Sequence, residues 1–89
     1  MKLQQANMQL EIVTVSKELF NGEADELHCL GEDGQLTVLS NHEPLVTTLK
    51  ESTLRVAFNG DEEKEFKILN GVLEVAYNRA VVLCSSNEL

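Results

Sequence analysis

The sequence predicts an all-β domain, arranged as an antiparallel sandwich or a barrel. Short runs rich in Val, Ile, Leu and Thr recur along the chain, and none is long enough for a helix of about 11 residues. Turn-forming residues separate these runs: Asn-Gly pairs at 21–22, 59–60 and 70–71, and a glycine-bounded loop at 31–34. Asn-Gly is the strongest short hairpin signal, because both residues tolerate positive φ. Eight or so strands at this spacing are typical of sandwiches and barrels.

Each predicted strand has a pattern that suits a sheet with one buried face. In the first, Leu10 and Ile12 fall on one face and Glu11 and Val13 on the other. The last four strands are predicted to form a meander with turns at 59–61, 70–71 and 77–78. The predicted strands are Gln9–Val15, Glu26–Leu30, Gln35–Leu39, Leu45–Leu49, Leu54–Phe58, Glu65–Leu69, Val72–Ala76 and Ala80–Cys84.

Within the meander, Leu73 and Val75 alternate with Glu74. This alternation predicts that the two apolar side chains are buried between the sheets and that Glu74 faces water. The acidic segment 61–65 follows a turn and is interpreted as a solvated sheet edge, where charges discourage pairing with another chain.

Length and charge restrict the classes of function. The 89 residues suffice for one small domain, and the net charge is −8 with a pI near 4.6. This balance argues against binding to nucleic acid or to an anionic lipid surface. The chain shows no secretory signal and no apolar run of the roughly 20 residues that a membrane span needs. Cys29 and Cys84 are expected to be reduced thiols, because two cysteines do not make a disulfide framework.

No combination of residues indicates a catalytic or metal centre. His28 and Cys29 are adjacent on a strand, so they point to opposite faces and cannot easily share a metal with His42 and Cys84. The glycine patterns of phosphate-binding loops are absent. The prediction is therefore an interaction module without cofactor, metal or small-molecule substrate. One loop stays open to two interpretations: His42, near Pro44, is either bonded to its own turn or a contact residue on a loop tip.

Several segments together resemble the epsilon subunit of F-type ATP synthases. The central one contains a glycine-bounded turn, a strand, a His-x-Pro-Leu sequence and a Thr-rich strand, and it spans residues 34–50. An opening hairpin pattern precedes it, and a Leu-Glu-Val turn with a further strand follows it. The resemblance runs from about Met8 to Cys84; its segments are Leu10–Val15, Leu19–Glu23, Gly34–Lys50, Leu69–Val75 and Asn78–Leu83.

The resemblance implies a flattened antiparallel β-sandwich of about 8–10 short strands over residues 8–85. Residues 1–7 would be a loose extension and residues 86–89 a short tail. It also implies that a helical hairpin, which follows the sandwich in most members and inhibits ATP hydrolysis, is not to be expected in a chain that stops at Leu89. Neither that inhibition nor the ATP binding seen in some members is then expected.

By function, the resemblance implies a non-catalytic subunit of the rotary central stalk. Such a subunit lies beside the gamma subunit and on the membrane c-ring, peripheral to the cytoplasmic side of a bacterial inner membrane or an organelle equivalent. Carried over by position, the expected contacts with gamma or the c-ring are Gln35, Asn41, His42, Glu43 and Pro44. Two alternatives remain at this point: a stand-alone cytosolic β-sandwich adaptor, and a small metal-dependent enzyme that uses His42 and a carboxylate.

Overall fold

The computed structural model describes residues 7–87, and within that range the regular structure consists of nine β-strands without a helix. All the predicted strands are present, with ends that differ by a few residues. An additional strand, β2, contains part of the opening hairpin pattern. The strands are β1 (Met8–Val13), β2 (Glu18–Ala24), β3 (Glu26–Gly31), β4 (Gly34–Leu39), β5 (Leu45–Leu49), β6 (Ser52–Phe58), β7 (Glu62–Ile68), β8 (Asn70–Ala76) and β9 (Arg79–Ser85).

The strands follow one hydrogen-bonded path, β2-β1-β9-β8-β5-β3-β6-β7, and β4 pairs with β3. The path folds into two layers where β5 meets β3, because these strands pair only at Leu49 and Gly31. The first layer is β2-β1-β9-β8-β5, and the second is β4-β3-β6-β7. The ends of the path meet again at Phe20 of β2, which packs edge-on against Phe58 of β6 and Phe66 of β7. The fold is therefore the predicted flattened sandwich.

The core lies between the layers and takes one side chain in two from most strands. In β1, Leu10 and Ile12 are fully buried while Glu11 and Val13 are less so, as predicted. Leu73 and Val75 of β8 are also buried, and Glu74 is exposed. Within residues 7–87 the buried side chains are all apolar or thiol-bearing, so the core rests on apolar packing without buried charges.

The turn predictions are partly correct. Asn59 and Gly60 form a turn with φ of 53° and 84°, and Tyr77 and Asn78 form another with φ of 53° and 57°. The Asn-Gly pairs at 21–22 and 70–71 were wrongly predicted as turns, since they lie inside β2 and β8. Gly71 is needed for close packing: a Cβ there would lie 3.1 Å from the Leu83 carbonyl oxygen and 3.2 Å from Cys84 Cβ.

The predicted meander of four strands was wrong at its centre. β6 pairs with β7 and β8 pairs with β9, but β7 does not pair with β8. Leu69 is a corner at which the chain passes from the second layer to the first, and its N–H donates to the Ser85 carbonyl (2.8 Å). The sheet also contains one parallel pair, β1 with β9, which an entirely antiparallel prediction did not include.

β7 is an edge strand that pairs only with β6 among the strands described. Its first four residues are charged and exposed, which agrees with the predicted solvated edge. Across residues 7–87, no helix with the length and apolarity of a membrane span is found.

Candidate partner interface

The loop of residues 40–44 is held in one conformation by bonds within itself. Its N-terminal side turns at Asn41, which has φ of 60°. The His42 N–H donates to the Leu39 carbonyl (3.2 Å), and the His42 ring donates from Nδ1 to the Glu43 carbonyl (2.7 Å). Of the two interpretations of His42, the bond to its own turn is therefore correct for Nδ1. Nε2 makes no hydrogen bond within residues 7–87 and can serve a partner or water.

Asn78, which sequence reasoning did not single out, fixes the position of this loop. Its Oδ1 accepts from the Asn41 N–H (2.7 Å), and its Nδ2 donates to the Asn7 carbonyl (3.0 Å). One side chain thus joins the β8–β9 turn, the 40–44 loop and the chain just before β1. The only sequence signal for this role was that Tyr-Asn occupies a turn between strands, where Asn is favoured at positive φ.

Tyr77, beside Asn78, is a large side chain in a costly backbone conformation. It is fully exposed and has φ of 53°, a region that non-glycine residues seldom adopt unless they are Asn or Asp. Strained backbone and exposed aromatic side chains both concentrate at functional sites and interfaces. Tyr77 and the 40–44 loop lie at the same end of the first layer, because Leu45 pairs with Val75 just inside it.

Gln35, the fifth residue of the predicted interface, lies elsewhere. It is the second residue of β4, beside the 32–33 turn, whereas the 40–44 loop follows the other end of that strand. At about 3.3 Å per residue, the strand runs about 13 Å from Gln35 to Leu39, and the bond from the His42 N–H to the Leu39 carbonyl keeps His42 at that far end. The structure therefore brings Asn41, His42, Glu43 and Pro44 together and leaves Gln35 at the opposite end of the sandwich.

The outer face of the first layer carries an exposed apolar patch that sequence reasoning missed. Cross-strand pairing places Val46 of β5 and Val81 of β9 on either side of Glu74 in β8. In the adjacent row Val72 lies opposite Leu83. We call Val46, Val72, Val81 and Leu83 the outer patch. The exposed fraction of Val46 is 69% and that of Leu83 is 51%, so this surface offers apolar area to a partner.

The signal for the outer patch was present in the sequence. β9 reads Ala-Val-Val-Leu-Cys, which is apolar on both faces instead of alternating with polar residues. A strand that is apolar on both sides is expected where both faces are covered. Here the inner residues Ala80, Val82 and Cys84 are buried, while Val81 and Leu83 face outward.

Ionisable groups do not form a catalytic cluster in the described part of the chain. His28 bridges two neighbours: Nε2 lies 2.8 Å from Glu26 Oε1, and Nδ1 lies 3.1 Å from Thr37 Oγ1. Burial raises the pKa of the Cys29 thiol from 9.0 to about 11, which makes it a poor nucleophile. Residues 7–87 contain no group of three or more His, Cys, Asp and Glu side chains that could hold a metal ion.

Comparison with known proteins identifies the family. Residues 7–89 match the family model for the beta-sandwich domain of the ATP synthase delta/epsilon chain. Among curated relatives, the ATP synthase epsilon chain of Brevibacillus brevis is 31% identical over 84 residues, which cover 94% of this chain and 64% of the relative. That of Desulforamulus reducens is 44% identical over 81 residues, covering 89% and 59%. This chain thus spans somewhat more than half the length of these relatives.

Solved structures show the same fold at low sequence identity. A chain in the structure of the Euglena gracilis mitochondrial ATP synthase (OSCP/F1/c-ring) superimposes with a TM-score of 0.83 at 18% identity, covering 89% of this chain and 51% of that one. A chain of the Tetrahymena thermophila mitochondrial ATP synthase central stalk/c-ring gives 0.77 at 16%, covering 97% and 67%. Residues 7–89 match this family model, and the two solved structures share the sandwich fold. The chain therefore belongs to the family of the ATP synthase delta/epsilon chain β-sandwich domain.

Proposed function

We propose that this chain acts as a non-catalytic rotor subunit in the central stalk of a proton-translocating F-type ATP synthase. In this role it binds the gamma subunit and the polar loops of the c-ring, and it helps to couple ring rotation to ATP synthesis. The observation that carries the proposal is the family match over residues 7–89. The two similar structures support it, since one is of an OSCP/F1/c-ring assembly and the other is of a central stalk/c-ring assembly.

The two-layer fold suits a subunit that transmits force between its partners. Two packed layers with an apolar core resist shear, because protein interiors are packed as densely as organic crystals. Contact surfaces lie at both ends and on one face: the 40–44 loop with Tyr77, the 32–33 turn with Gln35, and the outer patch. A rigid body with separate surfaces can bind two partners at once without a change in shape.

The outer patch and the 40–44 loop are proposed to bind the gamma subunit together, because β5 begins directly after the loop and carries Val46 on the outer face. Gln35, at the opposite end, is proposed to contact a different surface, that of the c-ring loops. The protein would then be peripheral to the membrane and held there through the complex, at the cytoplasmic side in a bacterium. The bacterial relatives support that location.

Reconstitution tests the proposal. The chain is added to an ATP synthase depleted of its epsilon subunit, and proton-driven ATP synthesis is measured together with binding to purified gamma. We expect the wild-type chain to bind gamma and to restore coupling. Replacing His42 and Glu43 with Ala should weaken both, and so should Val46→Glu, which places a charge in the outer patch.

Thr53→Glu is the matched control, since Thr53 is exposed on the second layer away from the outer patch. It should bind gamma as the wild type does. All variants should keep their melting temperatures within a few degrees. Exposed substitutions usually change stability by less than about 0.5 kcal/mol, and replacing half-buried His42 removes one hydrogen bond, worth about 1 kcal/mol. Failure of the wild-type chain to bind gamma or to restore coupling would contradict the proposal and favour a stand-alone adaptor.

A further inference from the structure

β4 leaves one side of its backbone open to solvent. Within residues 7–87 this strand pairs only with β3. The Leu30 carbonyl accepts from the Lys50 N–H (3.0 Å), so the main-chain groups of Leu30 point away from β4. Its antiparallel partner Gln35 must likewise turn its main-chain groups away from β3, and so must Thr37 and Leu39. These N–H groups have no partner in the described chain.

The open edge of β4 lacks the usual protection. Natural edge strands carry charges, prolines or bulges that prevent pairing with other chains. The edge strand β7 follows this rule, with charged residues from Glu62 to Glu65. β4 reads Gly-Gln-Leu-Thr-Val-Leu, with neither charge nor proline, and it pairs with β3 without a shift in register. An unprotected edge in a chain with 25% charged residues indicates that it is used.

The core is also incompletely covered on this side. Leu36 of β4 and Leu45 of β5 pack against the buried core but are themselves only partly buried. β5 is unpaired here except at Leu49, so both layers end at this side of the sandwich. A strand added to β4 would place alternate side chains on the inner face, beside Leu36, and its other side chains next to exposed Gln35 and Thr37.

The charges around the open edge of β4 indicate what kind of partner segment fits there. Between residues 26 and 49 the chain contains Glu26, Glu32, Asp33 and Glu43 but no Lys or Arg. The nearest described basic residues, Lys50 and Arg55, lie across β3 from the open edge, where Lys50 bonds to Leu30 and Arg55 pairs with His28. Glu32 and Asp33 form the turn before β4, and Glu43 lies in the loop after it. Glu26 is already bonded to His28. Carboxylates therefore stand at both ends of the open edge, and they favour a partner with basic residues at matching positions.

We infer that β4 is a docking edge for an extended segment of a partner protein, which pairs antiparallel with Gly34–Leu39. The segment is apolar at alternate positions and flanked by Lys or Arg. Its main chain bonds to the outward groups of Gln35 and Thr37, as in strand-addition recognition. The Leu39 N–H adds one more donor, while the Leu39 carbonyl is already used by His42. This inference does not depend on the proposed function.

Amide hydrogen exchange of the full chain tests the inference, with the peptide acetyl-Lys-Val-Thr-Val-Thr-Val-Lys-amide as the probe. At saturating peptide, exchange at the amides of Gln35, Thr37 and Leu39 should slow at least tenfold. The same peptide with both threonines N-methylated should bind at least tenfold more weakly, because those amides would face β4. The counterpart with Glu in place of Lys should bind at least fivefold more weakly at low salt.

Protein variants provide the matched comparison. Thr37→Pro removes an outward N–H and leaves the bonds to β3, a position at which edge strands tolerate proline. It should abolish binding of the lysine peptide, whereas Thr37→Ala should bind within twofold of the wild type. Both variants lose the Thr37–His28 bond, so that loss cannot explain a difference. Replacing Glu32 and Asp33 with Gln and Asn should weaken binding, and the same change at Glu62 and Glu63 to Gln should not.

Three results would overturn the inference. One is equal binding of the N-methylated and unmethylated peptides, a comparison that holds even where Thr37→Pro fails to fold. Another is equal binding of the Lys and Glu peptides. The third is slow exchange of the Gln35 and Thr37 amides without peptide together with a dimeric mass in sedimentation, since a second copy would then occupy the edge.

Discussion

Leu73 lies at the centre of the first layer, where β8 is paired on both sides. Its cross-strand neighbours are Thr47 of β5 and Val82 of β9, and it is fully buried. Removing three carbons there leaves a cavity that surrounding strands cannot close, because each is held by its own ladder of hydrogen bonds. We expect Leu73→Ala to lower the free energy of unfolding by about 2–5 kcal/mol, measured by urea denaturation.

Val72→Ala is the control for this substitution. Val72 is the adjacent residue of the same strand, but its side chain is 43% exposed on the outer face. Val72→Ala should lower the free energy of unfolding by well under half as much as Leu73→Ala does. Similar losses at the two positions would contradict the assignment of inner and outer faces.

Cys29 is expected to make the free energy of unfolding depend on pH. Burial raises the pKa of its thiol from 9.0 to about 11, so the folded state keeps its proton more tightly than the unfolded state does. The resulting contribution to stability is fully present below pH 9 and is lost as the pH rises to 11. Cys29→Ala has no thiol at this position and does not show this loss. The difference in free energy of unfolding between the wild type and Cys29→Ala should therefore narrow between pH 8 and pH 11. At 1.36 kcal/mol per pKa unit, the shift corresponds to at most about 2 to 3 kcal/mol, and because the thiol is not fully shielded from solvent the change should be smaller, about 1 to 2 kcal/mol.

Denaturation curves at several pH values measure this gap, and thiol labelling gives a second measurement. In the native protein at pH 8, labelling of Cys29 should be far slower than in denaturant, where both thiols become accessible to the reagent and both should react. A gap that stays constant from pH 8 to pH 11 would refute the role given to Cys29.

At the scale of elements, the β8–β9 turn consists of Tyr77 and Asn78, which differ in how well they tolerate a positive φ. Both have positive φ, which is typical of a tight hairpin turn and favours Asn and Gly. Asn78 fits this requirement and bonds to the 40–44 loop, whereas Tyr77 fits it poorly and is fully exposed. Stability alone does not explain a tyrosine here, which agrees with a contact role.

Tyr77→Asn should therefore stabilise the isolated domain. Relief of the left-handed strain predicts a gain of about 0.5–1.5 kcal/mol in the free energy of unfolding. Tyr77→Phe, which keeps the strain, should leave stability unchanged. Thermal melts of the three proteins decide the matter, and a loss of stability in the Asn variant would mean that the Tyr77 side chain stabilises the turn.

The strands were predicted well because the alternation of apolar and polar residues within a strand shows which of its faces is buried. The alternation in β1 and β8 was enough to assign their inner faces. Turns were less predictable, because Asn-Gly pairs also occur where a glycine is needed for packing, as at Gly71 beside Cys84. The sequence predicted the 40–44 loop as a candidate site, but not Asn78, since a bond between residues 37 positions apart leaves no local pattern.

At the scale of the whole molecule, the order of strands in the sheet differs from their order in the chain. The first strand and the last pair in parallel, from Gln9 with Arg79 to Val13 with Leu83. Cross-strand contact between Arg79 and Glu11 (3.1 Å) accompanies this pairing. Sequence periodicity carries no information on which strands become neighbours, so the predicted meander continued through Leu69, where the chain actually changes layers.

This topology predicts that the domain unfolds as one unit. β9 lies between β1 and β8, and its inner residues Ala80, Val82 and Cys84 are part of the core. Without β9, the main-chain hydrogen bonding between the β1–β2 hairpin and the end of β8 is reduced to the bond from the Gln9 N–H to the Asn78 carbonyl (3.2 Å), and the inner faces of β1 and β8 lose their neighbour. A chain that ends at Asn78 should therefore show no cooperative urea transition and poorly dispersed amide resonances. A chain that ends at Ser86 keeps β9 and the bond from Ser86 Oγ to the Lys67 carbonyl (2.7 Å), so it should unfold cooperatively near the wild-type midpoint. Cooperative unfolding of the shorter chain would mean that the strands before β9 form a stable domain, and that the closing parallel pair is dispensable.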